Sequence, residues 1–475
     1  MEKMVAAVDT QLRFETFGNA IVQFQRGEEV LLTCDPWIEG TAYFGSWGIE
    51  APLSDIQKSR VLRSKFIWIS HGHPDHLHPE SLALIPKDTA RFLLPDHYGS
   101  DIRDYLVGLG FKVQVLRYRE WTSLDADLKV LCLDNENQDA ILVAKFGDLL
   151  LINQNDSPPF GEQYFLKRLV RSHPNDKTVL AALCAVDADM LNIVDEHGDS
   201  LAGPPSLRKK GAVWAVASYA ATLGVKHFCC SSSQHVYLRP DSAWANRYRI
   251  GWEDMKEHWI RPAVALHEPY STIEVEPLRF VANNPQKINT AAVPEGAPSE
   301  DWSKKLTEAE WSTVERFVAK LKLIKEKFDF IGFSVGGERR DYRLNDKSQG
   351  PRAPRGIVFS VPRAALVETM ASGYFDDLLI GNFMKTQLVN ATLYPYFTPR
   401  VAKLAGNAKV FTRQDYGRFL FRYLRRNPRA FANVRLASWW RNSAVVGIDS
   451  VASALGIRSL IKKFYRTILL RHPTS

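Results

Sequence analysis

Cysteine is scarce in this chain. Five cysteines occur among 475 residues, and they are Cys34, Cys132, Cys184, Cys229 and Cys230. An odd count argues against a disulfide framework, and the spacing does not fit a zinc ribbon. All five lie in or beside apolar stretches, so we expect buried, reduced thiols and a cytoplasmic protein.

Long apolar runs are also missing. Residues 1–9 contain no apolar core of signal-peptide length. The most apolar helical stretch, residues 211–225, is short and carries Ser218 and Thr222, so it predicts a helix packed on a sheet and not a membrane span. The glycine-bearing stretch 332–337 is not followed by the Lys-Ser/Thr pair of a phosphate-binding loop.

Positive charge is abundant at one end of the chain. Residues 412–475 hold thirteen Lys and Arg against two Asp and Glu, a net charge of +11, while the whole chain carries +8. Aromatic residues are interleaved with these basic ones: Phe419, Phe421, Tyr423, Trp439, Trp440, Phe464 and Tyr465. The mixture predicts a basic amphipathic helical tail that meets an anionic membrane surface or an acidic carrier protein. A basic face packed on its own domain is equally compatible, and nucleic acid is not expected as a partner.

Strand-like and helix-like segments alternate through the first half of the chain. Apolar strands are predicted over 128–133, 141–146 and 149–153, and a helix over 207–223 ends at Gly224. Such alternation favours a layered α/β fold. Asn and Pro residues near 281–300 mark a boundary, which predicts a catalytic domain over 1–290 and a smaller α+β unit over 291–411. A long amphipathic helix over 307–327 opens that unit, and the basic tail over 412–475 follows it.

The chemistry is concentrated in residues 69–78. An apolar run over 66–69 predicts a short buried strand, and His71, His73, Asp75 and His76 follow it directly. Imidazole and carboxylate are the usual protein ligands of zinc and iron. A loop leaving a strand can direct alternate residues to two nearby points. The sequence therefore predicts a metal site here.

The order His71-Gly72-His73-Pro74-Asp75-His76 resembles the His-x-His-x-Asp-His signature of the metallo-β-lactamase fold. The resemblance implies an αββα sandwich and a dinuclear centre with three more ligands. It identifies Asp156, after the strand 149–153, with the bridging and catalytic carboxylate, and His235 with the last histidine. No histidine occurs between His97 and His173, where related hydrolases carry their third one. Glu136 is the expected metal-binding and catalytic replacement, Asp134 is its competitor, and a polar hairpin turn is the other interpretation.

Further stretches resemble one branch of this superfamily, that of CMP-N-acetylneuraminate hydroxylase and the diiron β-hydroxylases of antibiotic biosynthesis. They are Cys34-Asp35-Pro36-Trp37, the carboxylate in place of the third histidine, the stretch 231–237, Val361-Pro362 and the stretch 376–381. The resemblance implies two iron ions, an external electron donor and a non-heme diiron oxygenase (hydroxylase). Its substrate would be a small molecule or a lipid-, sugar- or carrier-linked group. The chain has no Cys-x-His pair, so a Rieske cluster cannot be carried over.

Two other functions remain open at this point. A dinuclear zinc or manganese hydrolase of phosphodiesterase or lactonase type would use the same loop to make a nucleophilic hydroxide. The chain could instead be a metal-bearing scaffold at a membrane surface, which binds lipid or a carrier protein and catalyses no reaction.

Overall fold

The structure is a computed structural model that describes residues 10–195, 197–290, 296–325, 327–344, 353–404 and 407–435. Its strands are, in chain order, β1 Leu12–Phe17, β2 Ile21–Arg26, β3 Glu29–Cys34, β4 Thr41–Ala42, β5 Trp47–Ile49, β6 Phe66–Trp68, β7 Arg91–Pro95, β8 Lys112–Leu116, β9 Trp121–Ser123, β10 Leu128–Asp134, β11 Ala140–Phe146, β12 Leu149–Asn155, β13 Thr178–Ala182, β14 Ile193–Val194, β15 His227–Cys230, β16 His235–Tyr237, β17 Ala265–His267, β18 Ser271–Glu274, β19 Arg279–Ala282, β20 Phe330–Val335, β21 Glu338–Arg343, β22 Gly356–Ser360 and β23 Lys385–Val389. Its α-helices are α1 Asp55–Leu62, α2 Pro79–Leu84, α3 Asp101–Gly108, α4 Gln163–Arg171, α5 Pro205–Leu223, α6 Trp252–His258, α7 Glu308–Lys320, α8 Arg363–Ser372, α9 Asp376–Ile380, α10 Thr398–Val401 and α11 Arg413–Arg426. Within the described ranges, no helix is long and apolar enough to cross a lipid bilayer.

Two large mixed sheets form the centre of the molecule. The first has the strand order β19-β18-β1-β2-β3-β6-β7-β8, and the second has the order β17-β15-β13-β12-β11-β10-β9. Their facing sides share one apolar core, in which Phe24 of the first sheet meets Phe146 of the second with ring centroids 5.3 Å apart. The predicted pairing of two sheets in an α/β sandwich is confirmed.

Helices cover the outer side of each sheet because the buried strands are apolar on both faces. Along β11, Leu142 and Ala144 join the core between the sheets, whereas Ile141 and Val143 face the other way, under the helices. Helices α4, α5 and α6 pack on that outer side, and α1, α2 and α3 pack on the outer side of the first sheet. The order of layers is therefore helix, sheet, sheet, helix.

The C-terminal part adds a five-stranded sheet with the order β14-β23-β22-β20-β21. Its core is rich in aromatic rings, and Phe333, Phe359, Phe375 and Phe397 contact one another edge to face or at a tilt. Strand β14 comes from the first part of the chain and pairs with β23 through Ile193 and Thr386. The two parts therefore share a sheet, and the domain boundary at residue 290 stays a prediction.

The first helix of the C-terminal part is shorter than predicted. It spans Glu308–Lys320 and not 307–327, with a capping box between Thr307 and Glu310 at its start. Three apolar residues that follow it, Leu321, Leu323 and Ile324, are all buried in the same core. If the helix continued, Leu323 would lie about 200° around it from Leu321 and would face away from that core. Ending the helix at Lys320 allows all three residues to be buried.

The start of the basic tail packs on the first part of the chain. Helix α11 buries Phe419 and Tyr423, and its last turn directs two arginines at carboxylates of the sandwich. Arg422 and Arg426 each lie 2.7 Å from Asp96, and Arg426 also pairs with the fully buried Asp134. The tail residues 436–475, including Trp439, Trp440, Phe464 and Tyr465, lie outside the described residues.

We expect Arg426→Ala to lower the free energy of unfolding by on the order of 3 kcal/mol, because it leaves the buried Asp134 carboxylate without its cation. Chemical denaturation of the full chain measures the change. Arg425→Ala is the matched control, since Arg425 is exposed on the same helix, and we expect a change within about 0.5 kcal/mol. Equal effects of the two substitutions would contradict this account of the docking.

Candidate metal centre

The histidine loop lies at the carboxyl ends of neighbouring strands. Strands β3 and β6 are parallel, with Cys34 opposite Trp68, so the loops that leave them share one edge of the sheet. Asp35, the residue after β3, accepts hydrogen bonds at Oδ1 from the backbone N–H of Ser70 (2.8 Å) and from its hydroxyl (3.0 Å). This edge is where α/β sheets usually bind their ligands.

Three side chains converge closely enough to hold one metal ion. Ligand atoms of His71, His76 and Asp156 all lie within 4.8 Å of one another. His76 Nε2 is 3.4 Å from an oxygen of Asp156 and 3.4 Å from an oxygen of Asp75. Two tetrahedral ligands with bonds of about 2.1 Å lie roughly 3.4 Å apart. The spacing therefore fits a shared cation.

In His71 and His76, one ring nitrogen contacts a group outside the cluster. The other ring nitrogen therefore faces the cluster. His71 Nδ1 lies 2.9 Å from the Ser70 hydroxyl, while His71 Nε2 lies 2.9 Å from His73 Nδ1. His76 Nδ1 faces Asp35 at 3.4 Å. Ring nitrogens fixed in this way are typical of metal-binding histidines.

Asp156 follows β12, in the second sheet, where it meets the histidine loop of the first. The hydroxyl of Ser232, which follows β15, donates to Asp156 Oδ1 and lies 3.5 Å from His76 Nε2. Ser232 adopts a left-handed backbone conformation with φ +66°, which is rare for a residue with a side chain. Sequence reasoning noted the stretch 231–237 but assigned no role to Ser232.

Burial and charge act in opposite directions on the two buried imidazoles. Burial lowers the pKa of His71 well below its usual value, and the neighbouring histidines lower it further. Burial also lowers the pKa of His76, but the charges of Asp75, Asp156 and Asp35 outweigh it and raise that pKa well above the usual value. A neutral imidazole at His71 and three carboxylates around His76 form a donor set that suits a cation.

Asp75 is held by two side chains. Tyr43 donates its hydroxyl to Asp75 Oδ1 at 2.6 Å, and Asn19 donates its amide to Oδ2 at 2.9 Å. Tyr43 also lies beside the His73 ring, with centroids 6.3 Å apart. Of the seven predicted ligands, the structure thus brings five together: His71, His73, Asp75, His76 and Asp156.

His235 is buried nearby but is not in the group of three. Its ring stacks on Trp47 with centroids 3.4 Å apart, and its Nδ1 has no hydrogen-bond partner among the described residues. Burial lowers the pKa of His235, which the charge of Asp156 partly opposes. His235 as a metal ligand stays a prediction.

The hairpin between β10 and β11 differs from the expectation. Glu136, predicted to replace the third histidine, lies 2.6 Å from Arg435, and its competitor Asp134 pairs with Arg426. Asp139, at the end of the same turn, has an oxygen 3.6 Å from His71 Nδ1 and is buried. Burial raises the pKa of Asp139. The sequence pattern did not point to Asp139, because only the folded turn brings this third acid back beside His71.

The C-terminal part also reaches the centre. Asp376, the first residue of α9, has Oδ2 3.2 Å from His73 Nε2. Burial lowers the pKa of His73, but its hydrogen bond to Asp376 and the charges of Asp376, Asp377 and Asp75 raise it to about 10. The side chains of His73 and Asp156 are 28% and 26% exposed, and those of His71 and His76 are buried. The centre is therefore open at His73 and Asp156.

No family model matches the chain. A protein of Mycobacterium tuberculosis named as a Rieske 2Fe-2S iron-sulfur protein is 30% identical over 153 residues, which cover 29% of this chain and 28% of that one. The cytidine monophosphate-N-acetylneuraminic acid hydroxylase of Danio rerio is 26% identical over 148 residues, covering 29% and 24%, and that of Asterias rubens is 25% identical over 162 residues, covering 32% and 24%. The chain thus matches less than a third of the length of each of these relatives.

Solved structures overlap about half of this chain. A metallo-β-lactamase fold protein of Bacillus subtilis overlaps 56% of this chain and 99% of its own, at 9% identity and a TM-score of 0.34. An isothiocyanate hydrolase from Delia radicum gut bacteria overlaps 55% and 98%, at 14% identity and a TM-score of 0.35. TM-scores this low support no conclusion about activity. With two helix-covered sheets and the histidine loop at their shared edge, this chain has the layer order and the loop expected from its resemblance to the metallo-β-lactamase fold, and part of its sequence is similar to the CMP-N-acetylneuraminic acid hydroxylases.

Proposed function

We propose that this chain is a non-heme diiron oxygenase that hydroxylates a small molecule or a lipid-, sugar- or carrier-linked group. The observation that carries the proposal is the ratio of carboxylates to histidines at the centre. Asp75 and Asp156 lie beside His71, His73 and His76, and the hairpin adds Asp139, which faces His71 from its Nδ1 side. Anionic oxygen ligands favour iron in its higher charge state over zinc.

His97 does not take the place of the missing histidine. Its Nε2 lies 3.2 Å from the backbone carbonyl of Ser70, so this ring holds the histidine loop from outside. Its Nδ1 lies 3.8 Å from Asp134, in the direction of the α11 docking site. His97 therefore supports the loop, and the carboxylate-rich donor set stands without it.

Two iron ions held at this centre would supply the activation of dioxygen, which with two electrons and two protons would place one oxygen atom in a C–H or N–H bond and release the other as water. The chain contributes placement and charge. Asp156 would hold metal together with His71 and His76, and Ser232 donates a hydrogen bond to one of its oxygens. Tyr43 and Asn19 hold Asp75. The proposed electron donor is external, because the chain has no Cys-x-His pair for a Rieske cluster, although one relative bears that name.

The test of the function is metal analysis of protein purified from cells supplied with iron and zinc. We expect iron, an oxo-diferric absorption band, and oxygen consumption with a chemical reductant. His73→Ala should lower bound metal and abolish oxygen consumption, because a ligand is lost. His258→Ala, on helix α6 beside Glu257, is the control. A zinc- or manganese-loaded, colourless protein that cleaves phosphodiesters or lactones without oxygen would replace the oxygenase by the hydrolase.

The role of the hairpin acids is tested separately. We expect Asp139→Asn to lower iron content, because Asp139 faces His71 Nδ1 and helps to orient that ring, and we expect Glu136→Gln and Asp134→Asn to retain iron, because an arginine pairs with each of these acids. Iron per chain and product per oxygen consumed are the measurements. Loss in Glu136→Gln alone would restore the sequence prediction. Retention in all three variants would favour the hydrolase.

The basic tail is proposed to meet an anionic membrane surface or an acidic carrier protein through the outer face of α11. Arg422, Arg426 and Arg435 pair with the chain's own carboxylates. Arg418, Phe421 and Arg425 are exposed, and Phe421 is exposed to 62%. This face combines positive charge with an aromatic ring, as interfacial helices do.

Charge reversal tests this partner better than truncation at residue 412, which would also remove Arg426 from Asp134. We expect Arg418→Glu with Arg425→Glu to reduce binding to phosphatidylserine vesicles or to an acidic carrier protein by at least about 30-fold, because each basic residue adds roughly 1 kcal/mol at an anionic surface. Lys112→Glu with Arg117→Glu changes the net charge equally on exposed residues of the sandwich. Equal loss in both double variants, or in neither, would contradict the proposal.

A further inference from the structure

We propose that the C-terminal part of the chain completes the metal centre, with Asp376 as the positioning residue that sets the tautomer and orientation of His73. The inference rests on the proposed metal site. It adds a residue from a different part of the fold, 303 positions along the chain from the histidine loop.

Both ring nitrogens of His73 are engaged. Nδ1 lies 2.9 Å from His71 Nε2, and Nε2 lies 3.2 Å from Asp376 Oδ2. The metal-free ring of His73 is protonated on both nitrogens, a metal ion displaces one of these protons, and an ionised carboxylate only accepts. Asp376 therefore keeps the remaining proton on Nε2, which leaves the lone pair on Nδ1, the nitrogen that faces His71. An ion between His71 Nε2 and His73 Nδ1 requires this tautomer.

Asp376 is held from both parts of the chain. Leu378 and Leu379 of the same helix are fully buried in the C-terminal core. Asn192 donates to the carbonyl oxygen of Leu379 at 3.0 Å, and Ser46 donates to that of Gly381. Hydrogen bonds from residues of the first part of the chain thus anchor α9 at its C-terminal end. A carboxylate on a fixed helix can hold an imidazole in one orientation, which is what a metal site needs from its surroundings.

The position of Asp376 agrees with this role. Its side chain is 11% exposed, so solvent does not compete strongly for His73 Nε2. Its second oxygen, Oδ1, has no hydrogen-bond partner among the described residues. Direct binding of an ion through Oδ1 would make Asp376 a ligand instead of a positioning residue, and the two roles predict different spectra.

The first measurement needs no substitution. The full chain is labelled with [¹⁵N]histidine, loaded with zinc as a diamagnetic probe, and studied by long-range ¹H–¹⁵N spectra. We expect His73 to bind zinc through Nδ1 and to keep a slowly exchanging proton on Nε2. Zinc bound through Nε2 of His73 would overturn the inference, and so would a freely exchanging Nε2 proton. A wild-type chain that binds no metal would overturn the proposed function and the inference together.

Two variants separate positioning from ligation. Asp376→Leu removes the acceptor, and we expect a 10- to 100-fold loss of zinc affinity, the range found when the outer partner of a metal-bound histidine is lost, with faster exchange of the His73 Nε2 proton. Asp376→Asn keeps an acceptor oxygen and should recover most of that affinity and the slow exchange. Asp341→Leu, at a surface ion pair with Arg339, is the control and should bind zinc as the wild type does. Wild-type affinity in Asp376→Leu would overturn the inference while leaving the metal centre intact. If Asp376→Asn loses as much zinc affinity as Asp376→Leu while exchange of the Nε2 proton stays slow, Asp376 is a ligand. That result would also overturn the inference.

Discussion

The removal of carboxylates from water is the constraint on which this structure depends. Asp35 and Asp75 are almost fully buried, Asp156 is only about a quarter exposed, and all three lie around His76. Isolated buried carboxylates are too costly to remain charged, so each needs a positive partner or donated hydrogen bonds. Ser70, Tyr43, Asn19 and Ser232 donate such bonds. The loops around the centre are arranged to deliver them, and the sheets provide the edge at which the loops meet.

Three loops reach the centre through unusual backbone conformations at the ends of strands. Asp35 after β3, Asn155 at the end of β12 and Ser232 after β15 have φ values of +46°, +41° and +66°. Left-handed conformations in residues with side chains cost of order 1 kcal/mol or more and persist where the surroundings fix them. Here each one turns the chain sharply at the edge of a sheet. The turns direct Asp35 toward Ser70 and His76, and Ser232 toward Asp156.

Local patterns in the sequence predicted the sandwich and the histidine loop. Nearly continuous apolar runs predicted the strands β10 to β12, and the spacing of His71, His73, Asp75 and His76 within six residues was enough to locate the loop. Contacts between distant segments could not be predicted in this way. Asp139 and Asp376 approach the histidines only after a hairpin turn and a separate helix fold back. The amphipathic pattern of α11 predicted a helix correctly, but no pattern showed that Arg426 would meet a buried acid of the sandwich.

The shared sheet and the docking of α11 bear on the order in which the molecule is made. Asp376, Arg426 and Arg435 all touch the histidine loop or its neighbouring hairpin, yet they lie far along the chain. A ribosome that has produced only the first three hundred residues has exposed every imidazole of the loop and none of these three groups. The arrangement described above cannot form before residue 435 has left the ribosome. A chain interrupted near residue 300 would therefore carry the histidines without Asp376, Arg426 and Arg435, the groups that hold the loop and the hairpin in place.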